Sequence, residues 1–127
     1  CIDSLMEEIS DCRIKIVDIH AEATAEKLAM GFYLDGKATA VVGTHTHVQT
    51  ADEKVLPGGT AYITDLGMTG PELSVLGVRP EASISWLKTG LPTRFEISSG
   101  ACMMCGVIID VDEKTEKSRS IERICVR

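Results

Sequence analysis

No apolar run in the 127-residue chain approaches the roughly 18 residues that cross a bilayer, so a membrane-spanning helix is excluded. A basic segment followed by an apolar one is missing too, and no secretory leader is read. Basic residues are in deficit. Thirteen Lys and Arg against nineteen Asp and Glu leave a net charge of −6. That argues against a broad nucleic-acid-binding surface. It does not argue against a small anionic ligand, because bound metal ions can supply local positive charge. Internal repeats, low-complexity tracts and dividing linkers are all absent, which bounds the chain to one domain with a core of its own. Cysteines number five, an odd count, and the simplest expectation is a reducing cytoplasm rather than a disulfide framework. The first residue is Cys1 rather than Met, so the chain is expected to be processed or a piece of something longer. Histidine is scarce, with three in all, and two of them stand in alternate positions.

What is present reads as an α/β chain. Residues 2–11 place Ile2, Leu5, Met6 and Ile9 on one helical face. Residues 13–20 (RIKIVDIH) alternate and then become apolar, as a strand entering a buried sheet does. Residues 21–36 are rich in helix formers and end in Asp-Gly. Residues 37–45 and 60–67 read as two further strands, the second after the turn signal Pro57-Gly58-Gly59. Strand, helix and strand at this spacing make a βαβ unit with a parallel pair. A helix over 81–90 and strands over 93–98, 101–113 and 119–127 complete the expectation, the last three antiparallel.

The histidines fall at strand ends. The first strand closes on Asp18-Ile19-His20 and the second on Gly43-Thr44-His45-Thr46-His47. In a parallel pair those ends lie side by side, at the edge where open α/β sheets hold ligands. On an extended segment His45 and His47 point the same way, so both can enter one site with His20 beside them. Neutral imidazole is a common ligand for Zn, Mn and Fe, which makes the three a candidate metal set. Asp18, Glu22 and Asp52 are near enough in sequence to orient the rings. Cys102-Met103-Met104-Cys105 is a lone C-x-x-C within a predicted strand and reads as structural. Trp86 reads as core.

Five blocks carry a resemblance: VDIHAEATAEK (17–27), VVGTHTHVQTAD (41–52), ITDLGMTGP (63–71), SVLGV (74–78) and TGLPTRFE (89–96). Together they resemble the YmdB-like metallophosphoesterases, calcineurin-like bacterial phosphodiesterases that act on cyclic nucleotides. The resemblance implies a metallophosphoesterase-type α/β/β/α sandwich, present here as a partial domain with a βαβ unit followed by antiparallel strands. It implies two divalent ions, iron or manganese first and zinc as a third candidate, with His20 and His45 matching ligands of one ion and His47 a ligand of the other. It implies hydrolysis of a phosphodiester such as a 2′,3′-cyclic nucleotide, with Thr46, Thr69 and Gly70 close to the substrate.

The same resemblance exposes a gap. The family's early aspartate, bridging glutamate and Asn-His pair have no counterpart here, and the chain contains no asparagine at all. Residues 1–127 therefore read as the C-terminal half of one metallophosphoesterase domain, with the general acid in the other half. Such a fragment is expected to be inactive alone. Its sheet edge would be open to the missing half or to a second copy. Two other readings stand beside this one: a non-catalytic metal-binding or regulatory module, and a phosphoesterase of another branch with a different substrate.

Overall fold

The structure is a computed structural model that describes all 127 residues. Its elements are α1 (Ile2–Glu8), β1 (Ile16–His20), α2 (Thr24–Tyr33), β2 (Ala40–Thr44), β3 (Lys54–Val55), β4 (Ala61–Ile63), β5 (Thr69–Pro71), α3 (Pro80–Thr89), β6 (Cys102–Val111) and β7 (Ser118–Val126). One sheet has the order β1-β2-β4-β3, with β1, β2 and β4 parallel and β3 antiparallel to β4. The other is an antiparallel sheet in the order β5-β6-β7. The fold is thus mixed α/β, as the sequence suggests.

β2 is the centre of the first sheet and is buried on both faces, which is why Ala40-Val41-Val42 is a continuous apolar run. Alternation sends Val41 to one side and Ala40 and Val42 to the other. Val41 joins Leu34, Ala38, Leu56 and Tyr62 in a core covered by α1 and α2 through Ile2, Met6, Leu28 and Met30. Ala40 and Val42 join Ala61, Ile63 and Ile121 in a second core, closed by Val107 and Ile109 of the other sheet. The layers run helices, sheet, sheet. Leu34, Val41 and Ile63 are fully buried, and each contributes roughly 1.5–3 kcal/mol of hydrophobic stabilisation. Gly31 lets α2 approach the sheet closely: a Cβ there would come within 2.6 Å of the Tyr62 ring.

Several expectations need correction. The expected strand over 93–98 does not form. The segment is joined to residues 77–79 by Arg79 N–H to Glu96 O, Ser98 N–H to Gly77 O and a single bridge between Val78 and Ile97. Phe95 and Ile97 alternate as a strand should, but no layer covers them and they are 53% and 83% exposed. Trp86 is not core either. It is 47% exposed on α3, against Phe95 in an edge-to-face pair with ring centroids 6.1 Å apart. α3 itself begins on Pro80 and ends on Gly90 in the left-handed region at φ 67°, and only its Ser83 is buried. The strand expected over 60–67 shortens to three residues because the chain leaves the ladder at Thr64.

The β6–β7 turn is held by one carboxylate. Asp112 accepts the N–H groups of Lys114 at 2.8 Å and Thr115 at 3.0 Å, and the Arg119 guanidinium at 2.6 Å. Arg119 first, then those N–H groups, hold the Asp112 carboxyl at about 2, below its ordinary 3.8. A carboxyl depressed by folding contributes stability that is complete above pH ~4 and is lost as pH falls toward the folded value. Amide-exchange protection of Lys114 and Thr115 is therefore expected to fall between about pH 4 and pH 2. Asp112→Asn should remove that step in an NMR pH series.

Candidate functional site

Three parallel strands end at one edge of the first sheet. β1 ends in His20, β2 in Thr44 followed by His45, and β4 in Ile63 followed by Thr64 and Asp65. The register sets His20 opposite Thr44, while Asp18 shares His20's side of β1 by alternation. A hydrogen-bond chain follows from this placement. The Thr44 hydroxyl donates to Asp18 Oδ1 at 3.1 Å. Asp18 as a carboxylate can only accept, so the Thr44 oxygen is left to accept from His20 Nδ1, also at 3.1 Å. His20 therefore carries its proton on Nδ1 and presents the Nε2 lone pair. That Nε2 lies 3.2 Å from His45 Nδ1, with the two rings edge to face at 75°.

This geometry suits two donors of one ion. Two nitrogens bound tetrahedrally at ~2.0–2.1 Å stand about 3.3 Å apart, close to the separation found. Without metal, the His45 Nδ1–H donates to His20 Nε2; with metal, His45 would carry its proton on Nε2 instead. His20 and His45 are the two imidazoles that the structure brings together, and no three His, Cys, Asp or Glu side chains gather so as to hold an ion.

His47 does not follow the extended path that alternation suggests. The strand ends at Thr44, and both His45 (φ 129°) and His47 (φ 64°) have positive φ, so the segment is bent rather than extended. They are two of only four non-glycine residues in the chain with positive φ. Such conformations cost on the order of 1–3 kcal/mol each and concentrate at functional sites. His47 is exposed and makes no side-chain hydrogen bond.

What holds the bend is a buried ion pair that the sequence reading missed. Asp65 Oδ2 accepts the Thr46 N–H at 2.8 Å and the Lys27 ammonium at 3.1 Å, while Oδ1 accepts the Gly67 N–H at 3.0 Å. The side chains of Lys27 and Asp65 are 1% and 0% exposed. Burial alone would raise the Asp65 carboxyl, but the Thr46 and Gly67 N–H groups, the Thr46 side chain and Lys27 outweigh it and hold it below the usual carboxylate range. Gly43 makes room for the pair: a Cβ there would lie 1.9 Å from Thr64 O and 2.9 Å from Lys27 Cδ. Gln49 ties the same loop to the second sheet, donating from Nε2 to Gly106 O at 2.8 Å and to Leu66 O and Ile124 O at 3.3 Å each.

The remaining candidates divide. Asp18 orients His20 through Thr44. Asp52 does not touch a histidine; it accepts the Thr50 hydroxyl at 2.7 Å, the Thr64 N–H at 3.1 Å and the Thr64 hydroxyl at 2.5 Å, bracing the β4 end instead. Glu22 is exposed and makes no hydrogen bond or ion pair. Thr46 contributes its N–H to Asp65, and its hydroxyl turns to Val48 O at 3.1 Å. Thr69 and Gly70 form β5 opposite Met104 and Met103, and neither is hydrogen-bonded to a histidine.

Comparison with known proteins gives a consistent set of likenesses. A family model described as "YmdB-like protein" matches residues 1–124. The chain is 58% identical over 110 residues to a 2′,3′-cyclic-nucleotide 2′-phosphodiesterase of Bacillus subtilis (strain 168), covering 87% of this chain and 42% of that protein. A crystal structure of a novel phosphatase from Mycoplasma pneumoniae superposes with a TM-score of 0.91 at 43% identity, covering 98% of this chain and 44% of that one. A hypothetical protein from Thermus thermophilus superposes with a TM-score of 0.90 at 38% identity, covering 98% of this chain and 48% of that one. The chain spans less than half the length of the curated relatives it matches.

Removing either partner of the buried pair strands the other's charge in the core. Asp65→Asn and Lys27→Met are each expected to cost about 3–5 kcal/mol in urea unfolding. The double variant is expected to cost less than the sum of the two.

Proposed function

This chain belongs to the YmdB-like protein family, and we propose that it forms the C-terminal part of a metallophosphoesterase domain that hydrolyses a phosphodiester, with a 2′,3′-cyclic nucleotide as the leading substrate. The observation that carries the reading is the 3.2 Å approach of His20 Nε2 to His45 Nδ1, with the His20 lone pair aimed by Thr44 and Asp18. The name of the Bacillus subtilis relative supports the substrate class.

His20 and His45 would hold one divalent ion and His47 would serve a second, with the remaining ligands and the general acid outside this chain. Ions bound there would supply Lewis-acid charge to the phosphoryl oxygens and lower the pKa of an attacking water. The chain's own residues act by position. Asp18 fixes the Thr44 hydroxyl, Thr44 fixes the His20 tautomer, and Asp65 holds the bend that presents His45 and His47. β1 pairs on one side only, so its free edge is where the rest of the domain, or a second copy, would add a strand. A second reading for the chain in isolation, a binding module with one ion or none, rests on the same paired approach of His20 and His45.

The test is turnover of 2′,3′-cyclic AMP with manganese, by the chain alone and by the chain joined to its upstream half, with metal content measured in parallel. Turnover and two metals in the joined protein are expected, with little in the chain alone. One metal or none in the joined protein, without turnover, would establish the module. In the joined protein Thr44→Val, which breaks the relay with little change in shape, should weaken metal affinity or activity about 10–100-fold.

A further inference from the structure

The cysteines of β6 and β7 are arranged differently from what the C-x-x-C spacing suggests. Positions three apart on a strand face opposite sides, so Cys102 and Cys105 are turned away from each other. The partner of Cys105 is Cys125, directly opposite it in the β6–β7 register, with the two sulfurs 3.8 Å apart. The Cys105 N–H donates to Met68 O at 3.2 Å, on the β5 side, so its peptide groups point away from β7. Cys105 and Cys125 are thus a non-hydrogen-bonded pair, the class in which facing side chains come closest, with Cα atoms about 4.5 Å apart. That spacing falls inside the range of about 4.4–6.8 Å that a disulfide spans. The two sulfurs are not bonded to each other in this structure, and the pair stands aligned.

We propose that Cys105 and Cys125 form a reversible redox modification site, closed to an intramolecular disulfide by low-molecular-weight disulfides of the glutathione class. The inference is independent of the metal reading. Cys125 is exposed and Cys105 is half-buried, so the reaction begins at Cys125. Its thiolate attacks one sulfur of the small disulfide, that S–S bond breaks, and the first small thiolate leaves with the proton Cys125 lost. Cys105, whose thiol burial pushes up, then gives its proton to solvent and attacks Cys125 Sγ, expelling the second small thiolate, which takes up a proton. Two protein thiols are oxidised and one small disulfide is reduced to two thiols. The closure lies against the candidate site, because a Cβ on Gly67 would stand 2.9 Å from Cys105 Cβ, and Gly67 donates its N–H to Asp65.

The test is to equilibrate the native chain in glutathione buffers of increasing oxidised fraction, alkylate the remaining thiols and map the peptides by mass spectrometry. Two of the five thiols should be lost together, in a species lighter by two hydrogens that carries a 105–125 cross-link and is reversed by dithiothreitol. Cys105→Ser should stop the reaction at a single glutathione adduct on Cys125, and Cys125→Ser should leave Cys105 unmodified. Persistent adducts on Cys125 with Cys105 still free in the unsubstituted chain would overturn the proposal. So would cross-links that use Cys1, Cys12 or Cys102 as readily.

Discussion

The buried contact between Lys27 and Asp65 organises the sheet edge that carries the histidines. Lys27 comes from α2, Asp65 follows β4, and the Thr46 N–H that Asp65 accepts lies between two histidines. One carboxylate therefore joins the covering helix, the end of β4 and the bend beyond β2. Burying both charges carries a desolvation penalty of several kcal/mol per ion, which their attraction repays only when every remaining hydrogen-bonding position is used. Asp65 adds two backbone N–H groups to the ammonium, so its charge is shared by three donors. An apolar pair of similar volume could cement the layers as well, but it could not accept the N–H of a strained segment. The contact is better understood as fixing one conformation at the sheet edge than as a source of net stability.

That fixing matters because the edge is otherwise weakly determined. His20, His45 and His47 are all exposed, and no hydrophobic packing dictates their positions. Two independent supports replace it. The Asp18–Thr44–His20 chain sets a ring and its tautomer from the β1–β2 register, and Asp65 sets the backbone that carries His45. Both originate in the core of the first sheet, where Ala40, Val41, Ala61 and Tyr62 are nearly inaccessible. The rigid centre of the sheet is thereby extended to groups that face solvent.

The parts legible in the sequence are those with long-range periodicity. β1, α2 and β2 are readable because Val17, Ile19 and the run from Ala40 follow patterns that burial enforces, and His20 and His45 fall where those patterns stop. β3 and β5, two and three residues long, carry no period and cannot be read. Residues 93–98 carry a strand's alternation without a layer to cover it, so pattern and structure part company there. Lys27 is hidden for a different reason: beside Glu26 near the start of a helix, a lysine reads as a solvated face, and only the fold brings Asp65 from 38 residues away to neutralise it. Gly43 is the available signal, since a glycine inside a buried strand marks a close approach. The Cys105–Cys125 pairing depends on register, which the β7 sequence leaves open because its pattern is mostly polar.

Two features of the chain now point to the same place. β1 is an edge strand with one neighbour, and it is also the strand that carries Asp18 and His20. A strand added to that edge would lie about 4.8 Å from β1, and its end would come beside His20. The groups able to complete the two-nitrogen half-site and the groups able to satisfy the open backbone edge would therefore arrive on the same element. Ile16, 62% exposed on β1, gives such an element an apolar contact as well. On the function proposed above, metal binding and completion of the sheet would be linked processes, because donors from the added element would bind the ion only when that element is docked, and the ion would in turn favour the docked state.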